Sequence, residues 1–324
     1  MKRGTDVDQA AAIVRAGGLV AFPTETVYGL GADATSAAAC AKIFAAKGRP
    51  TGHPLIVHLA VGASLDDWAI DVPDSARRLA AACWPGPLTL ILRRGPRVSP
   101  AATGGADTVG LRIPAHPVAQ ALLAAAGVPI AAPSANRFGR LSPTTAGHVA
   151  ADLGDAIDYL LDGGPCDVGV ESTIIDCSGE TLALLRPGGV PRAVIEAIVG
   201  PIATPAHSPT PAPGTLASHY APRAEVIAVS PADLSRVAAA ARGPIAILAG
   251  ASILAAAGPL PEGAVLAALP DDPRAAARAL YAALRGLDDV GVATIVAALP
   301  DDTDVGEAIA DRLRRAAGPR EDVP

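Results

Sequence analysis

The chain has 324 residues, a length that predicts about two domains. Half of the residues are hydrophobic but only 3% are aromatic, so the core is expected to be packed mainly by Ala, Val, Leu and Ile. The formal net charge is −6 and there is no long basic run, which argues against a large sequence-independent nucleic-acid surface, because such a surface needs many phosphate-neutralising Lys and Arg residues.

The first 200 residues alternate short apolar runs with segments of helical spacing. The predicted strands span 19–22, 54–59, 88–92, 109–114, 129–133 and 172–176, and the predicted helices span 5–16, 37–46, 75–82, 118–126 and 145–153. This alternation predicts an α/β layered domain.

In residues 201–222, Pro, Ser, Thr and Ala replace the periodic apolar pattern. Each proline fixes its own φ and biases the preceding residue away from helix, so this segment is predicted to be an extended linker. After it, the predicted strands span 226–229, 244–248 and 293–299, and they alternate with helices predicted at 233–241, 274–284 and 306–317. That rhythm predicts a small doubly wound parallel sheet, and the predicted domains are 1–200 and 223–324.

One uncharged stretch, residues 243–261, is long enough to span a membrane as a helix. It contains three glycines and three prolines, however, which favour a buried strand followed by a short Ala-rich helix. No membrane association is predicted.

Two rare residues mark short polar segments. Lys47 is one of three lysines and Asn136 is the only asparagine, and they lie in KGRP at 47–50 and PSANRFGR at 133–140. A compact ammonium two residues before the guanidinium of Arg49 suits a polyphosphate. Because loops on a rigid scaffold often carry binding groups, both segments are predicted to bind a ligand.

The expected phosphate site is not a standard nucleotide loop. GLGADA at 29–34 matches G-x-G-x-x-A, but PTETVY separates it from the preceding strand and no acidic ribose partner follows at the usual distance. The sequence also contains no G-x-x-x-x-G-K-[ST]. Phosphates are therefore expected to meet discrete cations. The candidates are Lys47, Arg49, Arg112, Arg137, Arg140 and Arg186.

Other polar residues leave alternatives open. Ser134 and Asn136 flank one alanine, so in an extended loop their side chains would point the same way. His58, at the polar end of an apolar run, is either a ligand-binding residue or a satisfied buried histidine. Four carboxylates could hold a metal, although their spacing fits no known metal loop and turn roles are favoured. They are Asp33, Asp162, Asp167 and Glu171.

The four cysteines show no CxxC spacing and no His partner at zinc-finger distance, so neither a metal site nor a disulfide framework is indicated. Isolated thiols fit a reducing cytoplasm. Asp6, Asp8 and Arg15 interrupt the N-terminal apolar stretch, and no signal peptide is predicted.

The polar motifs together resemble one family. In chain order they are PTETVYGLGADA, KGRP followed by HPLIVHL, WPGPLTLIL, TVGLRIP, PSANRFGRLSPT, DGGPCDVGVESTIID and LLRPGGV. They resemble the threonylcarbamoyl-AMP synthase family and its YrdC-like domain, and PGTLASHYAP with the segments after it resembles the longer two-domain form. The resemblance implies a twisted open mixed sheet flanked by helices, followed by a smaller Rossmann-like domain.

The resemblance also implies a reaction. L-threonine, bicarbonate or CO2, and ATP would give threonylcarbamoyl-AMP and pyrophosphate, with Mg²⁺ arriving on the ATP and held mainly by phosphates and water. The adenylate would pass to the tRNA threonylcarbamoyl transferase machinery, which modifies the adenosine beside the anticodon. No protein nucleophile is required, because orientation and electrostatic stabilisation would supply the catalysis.

Matching the family motifs residue by residue implies a set of site residues, with Lys47 and Arg49 as the catalytic pair. The residues expected around ATP are Lys47, Arg49, Thr108, Ser134, Asn136, Ser142 and Arg186, and those expected around threonine are Thr26, His58, Arg112, Ala132 and Ser172. His219 and Tyr220 of the linker are candidates for a lid over the site. His53 stands where relatives often carry Asn or Lys, and no contact is assigned to it.

Two other functions stay open. The same cations could hold an RNA backbone, but the acidic balance and the few aromatics leave room only for a weak RNA contact, because single-strand binding needs a basic track and stacking platforms. A related carbamoyl-adenylate enzyme of another maturation pathway would carry acylphosphatase-like and zinc-finger segments, which this sequence lacks.

Overall fold

The computed structural model describes residues 1–205 and 210–319, so residues 206–209 of the predicted linker lie outside the described residues. The chain forms two compact units. The first comprises Met1–Phe138, Ser142–Asp167 and Glu171–Thr215, and the second comprises Gly139–Leu141, Val168–Val170 and the chain from Leu216 onward.

The first unit is a mixed sheet with helices on both faces. Its strands are β1 (Lys2–Gly4), β2 (Val20–Phe22), β3 (Gly29–Asp33), β4 (Ile56–His58), β5 (Ala69–Ile70), β6 (Leu88–Arg94), β7 (Thr108–Arg112), β8 (Ile130–Ala131), β9 (Tyr159–Leu161), β10 (Thr173–Asp176) and β11 (Ala183–Arg186). Its helices are α1 (Val7–Arg15), α2 (Ala37–Lys47), α3 (Asp74–Cys83), α4 (Pro117–Ala126), α5 (Ala146–Leu153) and α6 (Arg192–Val199). The strand order is β1-β9-β2-β3-β8-β4-β7-β6-β10-β11, with β5 paired to β6. The predicted α/β fold is confirmed.

Apolar residues pack against both faces of this sheet. Ala21 belongs to one buried cluster, while its neighbours Val20 and Phe22 belong to another. Because successive side chains of a strand point to opposite faces, the two clusters lie on opposite sides of the sheet. The larger cluster includes residues of α2, α3 and α5, and the smaller one includes residues of α1 and α4. Aliphatic side chains dominate both clusters, as the composition predicts.

The strand β3 was not predicted, because its sequence GLGAD contains glycine and aspartate, which are depleted in strands. It is nevertheless buried and pairs antiparallel with both β2 and β8. A Cβ atom added at Gly31 would lie 2.7 Å from the Phe22 ring, so the glycine leaves room for that ring. GLGADA is therefore largely a sheet strand, in agreement with the rejection of a dinucleotide-binding turn.

The second unit contains a four-stranded parallel sheet in the order β12-β15-β13-β14. Its strands are β12 (Glu225–Val229), β13 (Ile245–Gly250), β14 (Val265–Leu269) and β15 (Thr294–Ala298), and its helices are α7 (Leu234–Ala240), α8 (Ala251–Ala256), α9 (Pro273–Asp289) and α10 (Gly306–Ala316). This confirms the predicted parallel sheet, and β13 followed by α8 confirms the interpretation of residues 243–261. Among the described residues, every helix is too short or too polar to cross a membrane.

Helix α9 packs against the two short upstream segments of its own unit. The Nη2 group of Arg285 donates a hydrogen bond to the carbonyl oxygen of Leu141 at 2.6 Å. Gly169 approaches the helix so closely that an added Cβ atom would lie 2.3 Å from the Cα atom of Arg278. The second unit is thus assembled from three pieces of the chain.

Candidate active site

Two neighbouring strands of the large sheet each end in a polar residue, and both of these side chains point to the same face. In β4 and β7, Val57 and Leu111 belong to the larger apolar cluster, so the next residues, His58 and Arg112, point to the other face. The two strands run parallel and their register pairs His58 with Arg112. Two residues expected around threonine therefore lie side by side.

Arg112 is the centre of a buried cluster formed with the PTET segment. Its Nη2 atom lies 2.6 Å from Oε1 of Glu25, its Nη1 group donates to Oγ1 of Thr26 at 3.0 Å, and its Nε group donates to the carbonyl oxygen of Gly86 at 3.2 Å. The hydroxyl of Thr26 is in turn 2.8 Å from that of Thr24. The side chains of Arg112 and Glu25 are only 4% and 8% exposed, so this guanidinium is fixed in a largely dry environment.

Ser172 is fixed by contacts on both its hydroxyl and its carbonyl. Its Oγ atom lies 2.7 Å from Oγ1 of Thr89, which is buried in β6. The Nη2 group of Arg186 donates to the Ser172 hydroxyl at 3.1 Å and to the Ser172 carbonyl at 2.8 Å. The Nη1 group of Arg186 donates to the carbonyl of Pro213, within the predicted linker, at 3.0 Å.

Lys47 lies where helix α2 ends. Gly48 terminates the helix in the left-handed conformation, with φ 63°, which glycine adopts without steric cost. The buried Nζ group of Lys47 donates to the carbonyl oxygens of Ser134, at 2.5 Å, and of Asn136. The KGRP and PSANRFGR segments are thereby held together. Burial, and then the charge of Arg49, lowers the pKa of Lys47 well below its usual value.

Arg49 and His53 both lie beside Phe138. The guanidinium carbon of Arg49 is 5.5 Å from the Phe138 ring centroid, and its Nη2 group donates to the carbonyl of Pro54 at 3.0 Å. The ring of His53 meets Phe138 edge-on, with 5.5 Å between the centroids. Burial and then the charge of Arg49 lower the pKa of His53, which favours the neutral form of His53 beside the loop that carries Lys47 and Arg49.

The other residues expected to bind ligands have distinct surroundings. The Ser142 hydroxyl donates to Oε1 of Glu171 at 2.5 Å, and both residues are buried. Ala132 is buried, and its backbone N–H donates to the carbonyl oxygen of Ile56 in β4 at 2.8 Å. Thr108 begins β7 whereas Arg112 ends it, a separation of about 13 Å along the strand. The structure therefore does not bring Thr108 into the cluster around Arg112.

Two of the other phosphate candidates are exposed. Arg137 and Arg140 both face solvent, and the Nε group of Arg137 donates to the carbonyl of Asp152 at 3.2 Å. The side-chain amide of the buried Asn136 donates to the carbonyl of Arg137 at 2.8 Å. This contact fixes the orientation of the Asn136 side chain.

Two of the four carboxylates considered for a metal take part in turns. Asp33 accepts from the backbone N–H of Thr35 at 2.8 Å, and Asp162 accepts from that of Gly164 at 3.0 Å. Within the described residues, no group of three or more His, Cys, Asp or Glu side chains could hold a metal ion.

His219 and Tyr220 are buried and belong to the second unit. Tyr220 has φ 59°, which large side chains rarely adopt. The guanidinium of Arg312 lies 4.9 Å from the centroid of its ring, and the ring of Tyr281 lies 6.1 Å away. The next residue, Ala221, donates its N–H to the carbonyl of Gly139 at 2.9 Å. These contacts hold the strained conformation of Tyr220 in place.

Sequence reasoning missed several members of the site. Glu25, Thr24, Thr89 and Glu171 were not assigned to it, although they contact Arg112, Thr26, Ser172 and Ser142 respectively. One signal was available for Glu25, because it is the only charge in the segment PTETVY that follows the apolar run at 19–22.

His58 gives the site a measurable pH signature. Burial, and then the nearby Arg112 charge, lowers the pKa of His58 from 6.5 to about 3. Between these values the unfolded chain binds a proton at His58 that the folded chain does not, so the free energy of unfolding falls as the pH falls from 6.5 toward 3, by up to about 1.4 kcal/mol per pH unit. We expect His58→Gln to reduce this fall, measured by urea unfolding at pH 7.0 and 4.5. Equal falls in the two proteins would contradict the assignment of a buried neutral His58.

The buried guanidinium of Arg112 and the hydroxyl groups around it are suited to binding a small anionic ligand. Comparison with known proteins identifies the family to which this chain belongs. A family model described as "Telomere recombination" matches residues 12–188, and one described as "Threonylcarbamoyl-AMP synthase, C-terminal domain" matches residues 190–318.

Relatives of nearly full length share both units. The chain is 42% identical to threonylcarbamoyl-AMP synthase of Bacillus subtilis over 97% of this chain and 93% of that one, and 43% identical to that of Pyrococcus abyssi over 96% and 94%. A crystal structure of P. abyssi Sua5 complexed with L-threonine matches with a TM-score of 0.89 and 40% identity, over 98% of this chain and 96% of that one. The chain therefore belongs to the threonylcarbamoyl-AMP synthase family, in its two-domain form, and is an enzyme.

Proposed function

We propose that the chain condenses L-threonine, bicarbonate or CO2, and ATP into threonylcarbamoyl-AMP and pyrophosphate, for threonylcarbamoyladenosine modification of tRNA next to the anticodon. The observation that carries this proposal is the buried Arg112 cluster, in a chain that matches the threonine-complexed P. abyssi Sua5 over 98% of its length. Arg112 has N–H groups on both Nη atoms, and a guanidinium is suited to bidentate binding of a carboxylate. The hydroxyls of Thr26 and Ser172 supply partners for the threonine hydroxyl.

Lys47 and Arg49 are assigned to the phosphates. Two of the three N–H groups of Lys47 are taken by backbone carbonyls, which fixes the ammonium and leaves one N–H for a phosphate oxygen. A bound phosphate also favours the charged form of this buried lysine, which burial alone disfavours. Ser134, Asn136, Ser142, Thr108 and Arg186 complete the proposed ATP-binding set.

The proposed reaction depends on the positioning of the substrates and on electrostatic stabilisation by cations, and it does not need a protein nucleophile. The carbamate formed on the threonine nitrogen attacks the α-phosphorus, and pyrophosphate leaves with the electrons of the bond that breaks. Fixed cations stabilise the negative charge that accumulates on the phosphoryl oxygens, without having to reorganise during the reaction. Holding the carbamate in line with the phosphorus supplies the other part of the rate increase.

Mg²⁺ belongs to this proposal as a companion of the nucleotide. No group of three or more acidic, His or Cys side chains in the described part of the chain could hold it, whereas phosphate oxygens and water are ligands that Mg²⁺ prefers. When bound, it neutralises phosphate charge. Transfer of the adenylate to the tRNA threonylcarbamoyl transferase machinery, a weak contact with RNA, a lid formed by His219 and Tyr220, and a cytoplasmic location stay predictions.

A substrate-omission experiment tests the proposal. The purified protein with ATP, Mg²⁺, L-threonine and bicarbonate is expected to release pyrophosphate, and omission of either threonine or bicarbonate is expected to abolish the release, measured with a pyrophosphatase-coupled phosphate assay. Release that does not depend on threonine would contradict the proposal. Salt-sensitive RNA binding without any pyrophosphate release would favour an RNA-binding module instead.

A further inference from the structure

The ion pair between Glu25 and Arg112 is close but incompletely satisfied. Oε1 of Glu25 lies 2.6 Å from Nη2 of Arg112, and both side chains are almost inaccessible to solvent. Within the described residues, neither carboxylate oxygen of Glu25 has a partner with hydrogen-bond geometry, and the same is true of Nη2 of Arg112. Charges removed from water in this way are costly unless further hydrogen bonds satisfy them. The buried Glu25 carboxylate can therefore accept further hydrogen bonds, and the buried Nη2 group of Arg112 can donate them.

In the part of the chain that the structure describes, Arg112 is the cation paired with Glu25. The titratable groups His116 and Cys166 are influenced by its charge, but burial lowers the pKa of His116 and raises that of Cys166 to about 12, so both are neutral near pH 7. A metal ion is disfavoured as the missing partner, because the described residues contain no group of three or more side chains that could hold one. A carboxylate accepts up to about four hydrogen bonds, so Glu25 has room for a small cationic donor.

The α-end of an amino acid carries the two groups that this pair lacks. A carboxylate and an ammonium are attached to the same carbon, and Arg112 and Glu25 present the complementary charges side by side. We infer that Glu25 binds the α-ammonium of threonine while Arg112 binds its carboxylate. This inference rests on the proposed function, because it takes threonine as the ligand.

The assignment has a consequence for selectivity. A site with a buried carboxylate aimed at an ammonium discriminates against a ligand that carries a hydroxyl at the same carbon, because the charge-assisted hydrogen bonds to Glu25 are then lost. Carboxylation of the ammonium by CO2 forms the N–C bond of the carbamate and releases two protons, so the threonine nitrogen keeps one N–H, which still donates to Glu25. The same residue thus holds the nitrogen before and after the carbamate forms.

The test compares L-threonine with (2S,3R)-2,3-dihydroxybutanoate, in which a hydroxyl replaces the amino group. Isothermal titration calorimetry in bicarbonate-free buffer is expected to show at least about tenfold tighter binding of threonine by the wild-type protein, since a hydrogen bond to a charged group contributes about 1.5 to 3 kcal/mol. Glu25→Gln keeps the shape of the side chain and an acceptor for Arg112, and is expected to reduce this preference at least about fivefold. The matched control Glu180→Gln changes an exposed glutamate of the same unit and is expected to leave the preference unaltered.

The outcomes separate this role from others. If Glu25 served only to orient Arg112, Glu25→Gln would weaken both ligands alike and the preference would persist, which would overturn the inference. If Glu25→Gln does not fold, the wild-type comparison decides, and a preference below about threefold would overturn it. A wild-type protein that binds no threonine and releases no threonine-dependent pyrophosphate would instead overturn the proposed function itself.

Discussion

Lys47→Met is expected to slow threonine-dependent pyrophosphate release by at least about tenfold, because the loss of one charge-assisted contact to the reacting phosphates costs more than about 1.4 kcal/mol of transition-state stabilisation. Methionine is an unbranched, adaptable side chain that fills the space of the buried lysine stem without its charge. The measurement is the steady-state rate with saturating threonine and bicarbonate.

Lys42 provides the matched control for this change. It lies in the same helix, is exposed, and donates to the carbonyl of Gly17 at 2.6 Å. Lys42→Met is therefore expected to keep the wild-type rate. Equal rates for Lys47→Met and the wild-type protein would remove Lys47 from the phosphate site.

Gly188→Ala is expected to lower the same rate by about 100-fold, because it displaces the backbone that carries Ser172. A Cβ atom at Gly188 would lie 2.4 Å from the Glu171 carbonyl oxygen, from the Ser172 carbonyl carbon and from the Thr173 nitrogen, so backbone atoms must move. A shift of about 1 Å in a positioned group is enough to lower a rate by about this factor. Thermal unfolding and threonine titration of the same variant would separate loss of the fold from loss of the site.

Gly179 is the control for the glycine substitution. A Cβ atom added there meets no atom within 4 Å, and the residue is exposed. Gly179→Ala is expected to change stability by less than about 0.5 kcal/mol and to leave the rate unaltered. A Gly188→Ala protein as active as Gly179→Ala would show that the loop around Ser172 adapts freely.

Local sequence signals were sufficient for much of this fold. The apolar runs that became β4, β6 and β7 and the helical spacing that became α2 and α4 are short-range patterns, and each was read correctly. Lys47 and Asn136 were conspicuous because both residue types are rare in this chain, and the structure joins their segments through the Lys47 ammonium. Whether these residues bind ATP stays a prediction.

Long-range partners could not be read from the sequence. Glu25 and Arg112 belong to distant segments, as do Ser142 and Glu171, and no local pattern connects them. The sheet strand β3 was missed because its glycines serve the packing of Phe22, a contact that only the antiparallel pairing with β2 creates. The sequence alone therefore did not predict the parts of the site that depend on two side chains far apart in the chain.

The close packing of α9 on Gly169 and the Leu141 carbonyl has a consequence for expression of parts of this enzyme. A fragment that starts at Leu216 retains all four parallel strands, but it omits the two upstream tripeptides that belong to the same body. Arg285 then loses the Leu141 carbonyl as an acceptor, and the helix surface around Ala277 that Gly169 covers becomes exposed to solvent. The C-terminal third of the chain is for this reason not the complete second unit, because a single cut along the sequence leaves two of the unit's three pieces behind.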